Sequence, residues 1–223
     1  MADIEHVPVP DDPLDWAPMR AYRGRRRFDV KDPLVEPLWS GTRVLAHVTV
    51  KPEADPPATV ALIEEGGLEL AQELPDLAAA IGAGVLALDA IVDGVITREL
   101  TLDGVGAAAI PEVRSRPTEM LVRSNVDFDV QAPSVDGDQA AEGPPVEGFV
   151  AVDLLRVDGT VLLDVPLLER KRLLESVIAP GPLLRPSNHV RPPRDPWIAT
   201  WKSVGLKGGI LKAANSRYHP NDE

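Results

Sequence analysis

The stretch FVAVDLLRVDGTVLLDVPLLERKRLLESVI, residues 149–178, decides the fold class. Its first seventeen residues read as a strand, a turn at Asp158-Gly159 and a second strand, because Asp-Gly between apolar runs favours a tight hairpin. Asp164 and Pro166 then open a helix, in which Leu167, Leu168, Lys171, Leu174 and Ile178 share one side. That stripe is apolar but for one lysine. Upstream, RVLAHVTV at 43–50 and VALI at 60–63 read as strands, with Gly66-Gly67 as a turn. The run LELAQELPDLAAAI at 68–81 has helical composition at both ends, with Pro75 breaking or restarting it. VLALDAIV at 85–92 reads as a buried strand carrying Asp89. Downstream, 179–196 is a proline-rich connection, Asp195 and Pro196 start a short helix through Val204, and GGILKAA gives a last strand. Strands mixed with helices and no strict βαβ rhythm predict an α+β fold with antiparallel sheets.

The chain has 223 residues, 44% of them hydrophobic and none of them cysteine. It is long enough for one well-packed core. Without cysteine there is no disulfide framework, thiolate zinc site or cysteine nucleophile. No apolar run approaches membrane-spanning length, and the acidic, proline-bearing start MADIEHVPVPDDPLDW is unlike a targeting peptide, so the expectation is a cytoplasmic protein. Residues 1–17 read as a flexible arm before a body at 18–223, and the acidic Gly/Pro-rich stretch 131–148 reads as a solvated loop. The formal net charge is −12, which argues against unaided grip on a phosphate backbone. Its distribution is uneven: residues 1–150 carry 12 basic and 27 acidic side chains, whereas 151–223 carry 11 and 8. Arg23, Arg25, Arg26 and Arg27 form one basic cluster, and Arg185 to Arg217 hold seven basic residues against Asp195. Either could contact a polyanion or an acidic partner surface.

Three segments follow one another as in a known family: VEPLWSGTRVLAHV at 35–48, the 149–178 stretch, and GLKGGILKAANSRYHPN at 205–221. Together with the Pro18-Met19 lead-in, the chain resembles the adenylation domain of ATP-dependent DNA ligases, within the nucleotidyltransferase superfamily of RNA ligases and capping enzymes. The resemblance implies an ATP-grasp-like α+β domain with two antiparallel sheets flanked by helices. It also implies, for an active member, a lysine that attacks the α-phosphate of ATP with metal assistance. The chemistry-bearing positions depart from the family. The K-x-D-G-x-R pattern reads Leu38, Trp39, Ser40, Gly41, Thr42, Arg43, preceded by Glu36. Leucine has no lone pair to form a phosphoramidate. The L-D-G-E segment matches best at Leu88, Asp89, Ala90 and Ile91, with a second register on Val92, Asp93, Gly94 and Val95, and neither has the glutamate. The E-G-x-V-x-K segment becomes Lys207, Gly208, Gly209, Ile210, Leu211, Lys212, and the adenine-stacking aromatic is Val152. Five residues follow Tyr218, so the family's last motif and its OB-fold are expected to be absent.

The expectation is a catalytically degenerate ligase-like domain that binds a partner, with no cofactor and no metal, in a DNA-repair setting. Fold and chemistry rest on different residues, so one can outlast the other. The alternative is a ligase or nucleotidyltransferase using ATP and Mg with an unorthodox nucleophile, Lys31 or Lys207, and missing domains supplied in trans. A third reading gives the apolar Leu38–Trp39 site a ligand less charged than ATP. Glu36, Arg43 and Lys212 are the candidates to hold a nucleotide or phosphate; the alternative is that Arg43 and Lys212 pair with Asp or Glu across the sheet. Trp197 and Trp201, four apart beside Arg194 and Lys202, either stack on bases or a partner or form the buried side of their helix. His6, His47, His189 and His219 lack ligand spacing, and no phosphate-binding glycine loop occurs.

Overall fold

Alternation in TRVLAHVTV gives β2 (Thr42–Val50) two unlike faces: Val44, Ala46 and Val48 enter the main core, while Arg43, Leu45 and His47 face the other way. The computed structural model describes residues 7, 12–19, 30–98, 147–203 and 205–220. Its other elements are β1 (Pro33–Pro37), β3 (Ala58–Glu64), α1 (Pro75–Gly84), β4 (Asp89–Thr97), β5 (Gly148–Val157), β6 (Thr160–Val161), α2 (Leu167–Val177), β7 (Leu184–Pro186), α3 (Asp195–Ser203) and β8 (Gly209–Ala213). A six-stranded sheet runs β3-β2-β4-β5-β6, and β7 joins the other half of the β5 edge. A two-stranded antiparallel sheet pairs β1 with β8.

The architecture is α+β, with two departures from the expected one. β7 runs parallel to β5, so the large sheet is mixed rather than wholly antiparallel. It lies in the proline-rich connection and reaches β5 through Phe149, Val150 and Ala151, too short to leave an alternating pattern. β4 starts at Asp89, four residues later than read, because Leu86 and Leu88 are exposed while Ala90 through Thr97 are buried. Pro75 begins α1 at a position where its missing N–H costs nothing. Residues before it turn instead, held by Glu69, whose carboxylate accepts from the Leu62 and Ala71 N–H groups.

The main core lies on one face of the large sheet, under α1 and part of α2. On the opposite face Leu45, Ile91 and Leu155 pack with Trp16, Val7 and Tyr218. The body therefore takes in part of the segment read as an arm: Trp16 and Val7 are buried, and the Val7 N–H donates to Asp164 at 3.1 Å. The small sheet lies between α2 and α3. Leu34 packs on Leu167, while Val35 packs on Trp197 and Trp201. No described helix is long and apolar enough to cross a membrane.

Candidate functional site

The first-motif segment leaves β1 at Pro37, runs through Leu38–Ser40 and enters β2 beyond Gly41. Gly41 sits at φ +148 with its α-carbon against Ile96; a Cβ there would lie 1.9 Å from the Ile96 carbonyl oxygen. Only glycine fits so close an approach. Leu38 donates its N–H to the Gly208 carbonyl and leaves its side chain 44% exposed. Trp39 turns inward. Its indole packs against Val95, Val150 and Val152 of the large sheet and also joins the Val35, Trp197, Trp201 and Leu206 cluster. Its Nε1–H donates to Ser187 Oγ at 3.0 Å. Ser40 stands beside Gly41 on an open groove of about 410 Å³ whose lining also includes Glu73, Arg98 and Glu147. That groove does not include Leu38, Arg43 or Lys212.

The retained charges are tied to one another. Arg43 makes a two-pronged ion pair with Asp93, which is fully buried and also accepts from Tyr218 Oη at 2.8 Å. Burial works against the guanidinium's charge, but the Asp93 carboxylate outweighs it and raises the Arg43 pKa. Burial and the Asp93 charge raise the Tyr218 hydroxyl, so it stays a donor. Tyr218 in turn accepts the Met19 N–H at 2.8 Å, joining both ends of the chain to β4.

Glu36 forms the second group. Its Oε2 lies 2.8 Å from Lys171 Nζ and 3.2 Å from Lys212 Nζ. Burial pushes this carboxyl up, but the two ammonium groups overcome it and hold it at about 2. Burial lowers the Lys171 pKa, opposed by Glu36, and the ammonium also donates to the Val152 carbonyl. Next to it, Arg170 clasps Asp153 at 2.9 and 2.8 Å and reaches the Ser216 carbonyl at 3.1 Å.

Asp93, Lys171, Arg170 and Asp153 were not among the candidate residues. The one signal for Lys171 was its place in the apolar stripe of the helix. Ile91 lies away from this group, in the cluster around Trp16. The second register fits instead, because Asp93 meets Arg43 and Val95 meets Trp39. Trp197 and Trp201 are 5% and 1% exposed, so they form the packed side of α3 and are not free to stack on bases. Arg194, Lys202 and Lys207 remain at the surface. Arg25 and Arg26, and residues 131–146 of the acidic loop, lie outside the described residues.

These side chains do not fit ATP and Mg. The positions that the resemblance matches to the nucleophile, the carboxylate of the L-D-G-E segment in its second register and the adenine-stacking aromatic are Leu38, Val95 and Val152, all apolar. The nearby carboxylates of Glu36, Asp93 and Asp153 are each bound to lysine or arginine. Among the described residues no three His, Asp or Glu side chains converge as metal ligands would.

No protein-family model matches this chain, and no curated protein matches it in sequence. Solved structures do. The ligase domain of LigD from M. tuberculosis superposes with a TM-score of 0.61 at 22% identity, over 94% of this chain and 58% of that one. A mycobacterial DNA ligase D in complex with ATP and MES gives 0.62 at 21%, over 95% and 58%. The chain thus spans less than two thirds of the length of either structure. At such identity the likeness is one of fold: the chain has the mixed α+β fold of a DNA ligase nucleotidyltransferase domain.

Proposed function

We propose that this chain is a ligase-like protein that has lost adenylyl transfer and acts as a binding module alongside DNA-joining or repair machinery. One observation carries the reading: Trp39 packs against Val95, Val150 and Val152, and Val152 is the position that the resemblance gives to the adenine-stacking aromatic. An adenine ring and a tryptophan cannot share that space, and among the described residues no three carboxylate or imidazole groups converge beside it. The bonding of the remaining cations supports the same reading. Arg43 is held by the buried Asp93, and Lys212 shares the single charge of Glu36 with Lys171, so both retained cations already have an acid partner within the protein. Lys171 is wholly buried and presents no amine to a substrate.

The test is incubation with α-labelled ATP and magnesium, followed by a denaturing gel with an active ligase as control. The expected result is a blank lane at 24.0 kDa. A labelled band that survives denaturation and is released by acid would overturn the proposal. It would send attention to Lys31 and Lys207, the candidate replacement nucleophiles.

A further inference from the structure

The backbone of the small sheet has an unfilled side. Val35 exchanges both of its hydrogen bonds with Val190, at 2.8 and 2.9 Å, so its N–H and C=O point away from β8. In an antiparallel ladder the two bonding groups of one residue point the same way and alternate along the strand. Leu34 and Glu36 therefore bond Lys212 and Ile210, their register partners. The flanking bonds agree: Leu38 N–H to Gly208 and Ala214 N–H to Asp32 continue the same even-numbered series. Gly209, Leu211 and Ala213 must then turn their N–H groups outward, as Gly209 and Leu211 do their carbonyls. Among the described residues none of these groups has a partner, apart from the Ala213 carbonyl, which accepts from Ser216. All five residues of β8 are partly exposed. Edge strands are ordinarily blunted by charge, proline or a bulge. GILKA has one charge, Lys212, and that lysine is drawn inward to Glu36.

We infer that the outer edge of β8 is a strand-addition site for an extended acidic segment of a partner protein. The inference rests on reading the chain as a binding module. Strand addition takes its affinity from main-chain bonds and its selectivity from alternate side chains. Here one face of an added strand would lie beside Leu211 and the α3 layer, the other beside Ile210. The charge at the Gly209 end selects acid: Lys202 and Lys207 are exposed and hold no ion pair among the described residues. Arg194 is half exposed nearby, on the turn that starts α3. α3 itself packs on Gly209 through Trp201 and Ile198, and Lys202 follows Trp201 on that helix while Lys207 lies two residues before Gly209.

The experiment selects binders to the full chain from a displayed library of randomised short peptides, then follows backbone amides by NMR hydrogen exchange. Selected peptides should be rich in Asp and Glu alternating with β-formers. Adding one should protect the Gly209, Leu211 and Ala213 amides, while Ile210 and Lys212 are protected from the start. Leu211→Pro removes an outward N–H and no bond to β1, so it should weaken binding by about tenfold or more. Lys202→Glu with Lys207→Glu should weaken it further and flatten its salt dependence. Enrichment of nothing, or of peptides that leave the odd-numbered amides unprotected, overturns the site even if Leu211→Pro fails to fold. Protection that grows with protein concentration alone would assign the edge to a second copy and overturn the acidic partner. Failure here leaves the labelled-ATP result untouched, so the two proposals fall separately.

Discussion

Arg43 and Lys212 illustrate how a retained cation can mean two different things. Asp93 has two partners, Arg43 and Tyr218, and no exposure to water. Arg43→Ala would leave that buried carboxylate with one neutral donor; the guanidinium itself is 31% exposed, so the loss falls at the low end of what breaking a buried pair costs, about 3 kcal/mol. Lys212→Ala leaves Glu36 still held by Lys171, and Lys212 is 20% exposed, so its loss should cost about 1 kcal/mol. Urea denaturation of both variants checks the ranking; equal effects would contradict it. His47 adds an acid-side dependence. Burial lowers its pKa from 6.5 to about 4, with Asp12 raising it and Arg156 lowering it. The unfolded chain therefore binds the proton first as pH falls, and stability is lost between pH 6.5 and 4. Glu36, held at about 2 against 4.5, contributes stability present above 4.5 and lost as pH falls toward 2. His47→Gln should remove the upper part of this loss, about 2 kcal/mol after allowing for partial exposure, and leave the lower part in place. Denaturation midpoints measured across that range separate the two.

Gly41 and Gly94 are fixed by the close approach of neighbouring strands. A Cβ on Gly94 would lie 2.2 Å from the Phe149 ring and 2.7 Å from the Val150 carbonyl, in the pairing of β4 with β5. Gly94→Ala should destabilise by about 3 kcal/mol through overpacking. Gly159→Ala, in the β5–β6 turn at φ +78 with nothing nearby, should cost only about 1 kcal/mol of backbone strain. Thermal unfolding of the pair tests whether packing or turn geometry dominates. Both glycines in the ligase-like patterns are thus required by sheet packing alone. The strands with clean alternation or a strong turn were legible for the same reason: β2, the 149–157 strand and GGILKAA follow local patterns. β1 and β7 were not, because PLVEP and LRP are short and proline-bearing, and distant partners hold them. In the site, Glu36, Arg43 and Lys212 were picked out by the resemblance to ligase motifs. Asp93 and Lys171 could not be assigned, since a lone acid in a strand and a lone lysine in an apolar stripe reveal their roles only through partners far along the chain.

Buried charge joins the described parts of the molecule at the junction of its two sheets. Lys171 reaches Glu36 on the small sheet and Val152 on the large one. Arg170 joins β5 to the C-terminal segment, and Tyr218 joins that segment to β4 and Met19. Trp39 bridges the apolar clusters of both sheets. On the proposed reading, adenylyl transfer cannot be restored by one side chain, because the residues around Trp39 and Glu36 belong to the packed junction of the sheets. Leu38→Lys supplies an amine at the first-motif position, which is solvent-exposed and should accept the change with little loss of stability. It does not move Trp39, free Glu36 from its lysines, or put a carboxylate at Val95 or an aromatic at Val152. The expected outcome with α-labelled ATP is no adduct, the same as for the unmodified chain. An adduct would mean that the cleft still opens to ATP and that only the nucleophile was lost. In that case Trp39 must swing out of its contacts when ATP enters. Quenching of tryptophan fluorescence by iodide, with and without ATP, would show this as a newly accessible indole.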